Sequence, residues 1–203
     1  MAFVTIAQAL EASRSAWQNR SVAENQIKKS ASLPMDTDFD IFMSHSYEDA
    51  EVIAGVKVII EHTGLTVYVD WIADAQADRS QVTNETADML RQRMKHSRFL
   101  LYATSKASPS SKWMPWEIGY FDGLRGGNVG ILPIVQSTND AFNGQEYLGL
   151  YSSYELLNFT DAGWQLGRRT GTRQGEMLKS DARRLQTKWW LVRLKRYGKD
   201  NDS

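Results

Sequence analysis

Apolar residues open the chain at helical spacing: Ile6, Ala9, Leu10 and Trp17, with the small Ser13 on the same face, predict an amphipathic helix over 5–17. From 28 to 38 the pattern turns polar, with Ser30, Ser32, Pro34, Asp36 and Asp38, and reads as a connector. The run Phe39-Asp40-Ile41-Phe42-Met43 then predicts a buried strand, and Ser44-His45-Ser46 a polar turn before a helix. In that helix Val52, Ile53, Val56, Ile59 and Ile60 fall on one face, Ser46 and Asp49 fit a capping box, and Gly64 suits a left-handed exit.

The alternation continues. A second strand over 65–69 ends at Asp70-Trp71, a polar loop over 72–81 leads to a helix over 83–96, and a third strand covers 99–103. Pro115, lacking an N–H, fits only a first helical turn, which puts Glu117 in that turn too and the helix end near Gly123. Residues 129–135 predict a fourth strand and 154–157 a short fifth. Strands alternating with helices at this interval predict an α/β fold of flavodoxin-like type, a central parallel five-stranded sheet flanked by helices. The ends add N- and C-terminal helical extensions. The Gly/Arg-rich stretch 163–175 reads as mobile, and Leu178, Ala182, Leu185, Trp189 and Val192 stripe a terminal helix with basic outer faces. The expected division is 1–37 for the N-terminal helix and linker, 38–160 for the main domain, and 161–203 for the basic C-terminal loop and helix.

Composition narrows the function classes. Hydrophobic residues at 42% leave material for a packed interior, and 24 Lys plus Arg against 24 Asp plus Glu leave no net field to draw nucleic acid. No cysteine is present, which removes disulfides, thiolate metal sites and cysteine nucleophiles; three histidines without ligand spacing point to no metal. The first residues lack the pattern of a secretory signal and no apolar run reaches membrane-spanning length, so the expected compartment is the cytoplasm, with no membrane partner.

Ligands of open parallel sheets lie beyond the carboxyl ends of the strands, so the candidate residues are Ser44-His45-Ser46, Asp70-Trp71 and the loop running to Glu117. Neither G-x-G-x-x-G nor a P-loop occurs there. On residue type alone most of these have a structural reading: an acid early in a helix serves stability, Ser46 caps, Asp70 shapes a turn, and His45 is a satisfied turn residue.

In order, Phe39-Asp40-Ile41-Phe42-Met43-Ser44-His45-Ser46-Tyr47-Glu48-Asp49, the segments 65–70 and 97–105, and Trp113-Met114-Pro115-Trp116-Glu117 with its W-x-x-x-E spacing resemble the Toll/interleukin-receptor (TIR) family, of the bacterial NAD-cleaving type. The resemblance covers roughly 39–135. It implies an enzyme that splits NAD+ into nicotinamide and ADP-ribose, or cyclises the latter, with Glu117 catalytic; NAD+ is substrate and no cofactor is implied. Trp113, Asp70, Trp71, Ser44, His45 and Ser46 are the expected substrate contacts. The family also implies a homo-oligomer on activation and, through anti-phage defence signalling, a downstream effector sensing a cyclic nucleotide product. Where some TIR enzymes carry arginine after the first strand this chain has Ser46-Tyr47, so phosphate contacts must come from elsewhere. A non-enzymatic TIR interaction module and a nucleoside deoxyribosyltransferase are the competing readings.

Overall fold

The computed structural model describes residues 3–17, 33–62, 64–69, 83–106, 108–137, 139–140, 144–157 and 165–168. In chain order these form β1 (Val4–Thr5), α1 (Ile6–Trp17), β2 (Phe39–Ser44), α2 (Ala50–Glu61), β3 (Val67–Val69), α3 (Asn84–Lys95), β4 (Ser97–Thr104), α4 (Trp113–Arg125), β5 (Val129–Val135), β6 (Ser152–Leu157) and β7 (Gln165–Arg168). Short 3-10 turns occupy Tyr47–Asp49, Ser108–Ser110 and Glu146–Leu150.

The sheet runs β3-β2-β4-β5-β6-β7, and its first five strands are mutually parallel. These are the five expected strands. Two short strands were not expected: β1 adds in parallel to the end of β5 through Val4 and Thr5, and β7 pairs antiparallel with β6. The second lies inside the stretch read as mobile, where ladder hydrogen bonds outweigh the low strand propensity of a Gly/Arg-rich sequence.

Period-2 alternation divides the core. Ile41, Met43, Val67, Val69, Leu101, Ala103, Leu132 and Ile134 face α1 and α2, while Phe42, Tyr68, Leu100, Tyr102, Val129 and Ile131 face α3 and α4. Helix α1 begins with a reciprocal capping box: the Thr5 N–H donates to Gln8 Oε1 at 2.9 Å, and the Gln8 N–H to Thr5 Oγ1 at 3.2 Å. Its partner surface, which sequence left open, is α2, approached so closely that a Cβ on Gly55 would lie 1.7 Å from the Ala9 carbonyl oxygen.

Other boundaries follow expectation with local corrections. Thr83 caps α3 by accepting the Thr86 N–H at 3.2 Å, and Gly64 has φ 86°, the left-handed exit anticipated for it. Helix α4 continues two residues beyond Gly123, stopping where Gly126 and Gly127 take φ 42° and 81°. At the outer edge, Lys57 bonds to Glu61 and donates to the Val67 carbonyl at 2.8 Å, covering backbone that another strand could pair with. Among the described residues no helix is long and apolar enough to cross a membrane.

Candidate active site

The first of the five parallel strands lies between the second and third, so the strand order reverses between β2 and β4, the place where open α/β sheets hold ligands. Ser44 ends β2 there, opposite Tyr102 of β4 in register. Both point to the α3/α4 face by alternation, and α4 follows β4 on that face.

Glu117 projects from α4 into this position. Its Oε2 accepts a hydrogen bond from Ser44 Oγ, and the two residues are 2% and 0% exposed. Two expected site residues thus meet across 73 positions of sequence. Glu117 is not in the first helical turn as expected; it opens the second. Helix α4 starts two residues before Pro115, because the first turn makes no use of the N–H that proline lacks, and the Ser111 hydroxyl takes the Met114 N–H at 3.3 Å instead. The helix dipole therefore acts on Glu117 from one turn away, and the Ser44 hydroxyl donates to its carboxylate.

Trp113 lies four residues before Glu117 on the same helical face, 9% exposed, its ring edge-to-face with Trp116 at 5.4 Å. Trp116 stacks on Tyr120 at 5.6 Å and carries the Arg91 guanidinium over its ring at 5.4 Å. His45 and Ser46 are buried just past the end of β2. The His45 Nδ1 lies 3.4 Å from the Met43 carbonyl, and the Ser46 carbonyl accepts the Asp49 N–H at 3.1 Å. This backbone bond belongs to a 3-10 turn that displaces the expected capping box, and Asp49 itself becomes the residue preceding α2, making no side-chain cap bond. Asp70 and Trp71 lie outside the described residues.

Sequence reasoning passed over Tyr102. Its hydroxyl is 3.2 Å from that of Tyr147, which donates to Gln145 Oε1 at 2.6 Å; Tyr102 is thereby the donor of the first bond. Burial, the Tyr147 contact and the nearby Glu117 charge all hold the Tyr102 phenol protonated far above its ordinary range. Strand alternation carried the signal, since Tyr102 shares a face with Leu100 and Thr104 and pairs with Ser44. Asp49 was likewise missed as a link between loops: its carboxylate accepts a hydrogen bond from Ser105 Oγ after β4. Burial pushes that carboxyl above the ordinary range, the Ser105 bond opposes the shift, and the Glu48 charge adds to it.

No family model matches the chain. It is 55% identical over 114 residues to "Probable 3' cyclic ADP-D-ribose synthase ThsB'" of Bacillus cereus (strain MSX-D12), covering 56% of this chain and 58% of that protein. It is 28% identical over 83 residues to "Putative cyclic ADP-D-ribose synthase TIR2" of Cytobacillus dafuensis, covering 40% of this chain and 22% of that protein. The chain thus spans little more than half the length of the first relative. Among solved structures, the TIR domain of the Toll-related receptor TRR-2 of Hydra magnipapillata matches with a TM-score of 0.40 at 16% identity, over 57% of this chain and 83% of that one. The motifs stand in Toll/interleukin-receptor (TIR) order along the chain, and the chain is similar to these two bacterial proteins named as cyclic ADP-D-ribose synthases.

Proposed function

We propose that this chain breaks the bond between nicotinamide and ribose in NAD+ and closes the ADP-ribose into a cyclic isomer, acting in the cytoplasm. The observation that carries the reading is the carboxylate of Glu117, in the W-x-x-x-E element, held at the switch point of the sheet. The relatives named as cyclic ADP-D-ribose synthases support the product class.

One carboxylate is enough for this reaction. Nicotinamide leaves a positively charged nucleoside as a neutral pyridine, so no acid need protonate it, whereas ordinary glycosidases require a second carboxyl for that step. The ribose left behind has oxocarbenium character, and an anion in a poorly hydrated site stabilises it more than one in water. A hydroxyl of the same ADP-ribose, or a water molecule, then bonds to the ribose carbon and gives up one proton. We assign Trp113, four residues before Glu117 on the same helical face, to an aromatic ring of the dinucleotide, and protonated Tyr102 adds no second negative charge.

Glu117 is 2% exposed, so a dinucleotide reaches it only after the side chains over it move. Such a covered site suits an enzyme that is switched on by assembly into a homo-oligomer, its cyclic product going to a downstream effector. The same burial favours the second reading, an interaction module without activity. Chromatography of the products from purified protein and NAD+ separates the readings. Nicotinamide with a cyclic ADP-ribose isomer is expected; linear ADP-ribose alone would limit the activity to hydrolysis, and intact NAD+ under all assembly conditions would favour the module.

A further inference from the structure

We propose that Ser44 is the positioning residue for Glu117: a hydroxyl fixed on the sheet that sets the rotation and ionisation of a carboxylate carried by a helix. The inference rests on the reading of Glu117 as catalytic. It assigns Ser44 to the carboxylate rather than to substrate.

Three observations carry it. Ser44 Oγ donates to Glu117 Oε2, and a hydroxyl that donates to a carboxylate favours the ionised form over the acid. Ser44 is fully buried at the end of a central strand, with β3 on one side and β4 on the other, so its hydroxyl has little freedom to follow a moving partner. Glu117 is also nearly without solvent, which leaves its orientation to protein groups rather than to water. A glutamate side chain has three rotatable bonds, and the bond from Ser44 ties Oε2 to the sheet. The consequence is a carboxylate preset before substrate arrives, which lowers the reorganisation needed as positive charge develops on ribose.

A buried serine that only supports packing would affect stability and nothing else, so the test reads ionisation and turnover together. Ser44→Ala removes the donor, and Ser44→Cys keeps similar size with a weaker one. The Glu117 side-chain carboxyl is followed by carbon NMR against pH, with its signal assigned by its absence in Glu117→Gln, while nicotinamide release gives kcat and KM. Expected are a Glu117 titration midpoint that rises in the order wild type, Ser44→Cys, Ser44→Ala, and an acid limb of the rate profile that moves the same way. In Ser44→Ala kcat should fall roughly 10-fold or more, with KM within about twofold of wild type. A common titration midpoint in all three proteins, or a loss expressed wholly in KM, would overturn the proposal. Should Ser44→Ala not fold, the Ser44→Cys protein decides by the same two readouts. If the wild type releases no nicotinamide, the NAD+ reading fails; the titration still decides Ser44, a raised midpoint supporting its hold on Glu117 and an unmoved one refuting it.

Discussion

Taking a carboxylate out of water costs free energy unless hydrogen bonds replace the lost solvent, and Glu117 receives one from Ser44. Glu117→Gln keeps the shape and removes the charge, so it should fold like wild type while nicotinamide release falls by roughly 10²-fold or more. Circular dichroism and a rate measurement on the same sample check both halves. Asp49 offers a test by pH. Its carboxyl is raised above an ordinary value near 3.8, so the fold favours the protonated acid: the associated stability is full below that value and is lost as pH rises toward the folded-state value. Asp49→Asn retains an oxygen for the Ser105 hydroxyl and removes the titration. Its melting temperature should exceed wild type at pH 7, with the difference shrinking toward pH 3.5; an advantage that grows on acidification would contradict the assignment. At this scale sequence showed which residue types gather at the strand ends, but not that Ser44 would meet Glu117. That pairing depends on where α4 begins relative to Pro115, a boundary set by the Ser111 hydroxyl and by the indifference of the first turn to a missing N–H.

Among the elements, the N-terminal segment departs most from what sequence alone conveyed. Its helix was evident from Ile6, Ala9, Leu10 and Ser13, whereas the capping box of Thr5 and Gln8 came to light only in the structure. The two-residue strand β1 was not readable, since Val4 and Thr5 become a strand only through the exposed end of β5. Docking of α1 on α2 turns on Gly55, where any side chain would run into Ala9 backbone rather than a movable side chain. Gly55→Ala should therefore cost about 1–3 kcal/mol despite its higher helix propensity, read as a lower midpoint in urea. An unchanged or raised midpoint would mean that α1 contributes little to stability. Gly130 carries a related constraint, because a Cβ there would lie 2.2 Å from the Tyr154 ring that closes the core beside Phe99.

For the molecule as a whole, alternating strands and helices in the sequence were sufficient to anticipate five parallel strands, and the reversal between β2 and β4 is where the candidate site lies. What sequence could not convey was the depth of burial. Glu117 reads as an ordinary polar residue in its local window, yet it is 2% exposed on a helix that packs against β2 and β4. A free-standing Glu117 would predict steady activity at any protein concentration; with Glu117 buried, the proposed opening by assembly predicts activity that depends on it. Specific activity toward NAD+ should therefore rise with protein concentration or with a crowding agent, and a strictly proportional rate over the whole range would argue against opening by assembly.

The central claim, that this carboxylate breaks the nicotinamide–ribose bond, is tested most directly by the time course of nicotinamide release from NAD+ in matched samples of wild type and Glu117→Gln, each with and without a crowding agent. The account predicts continuous release by wild type and next to none by the variant. Equal release by both proteins, or none by wild type under any of these conditions, would contradict it.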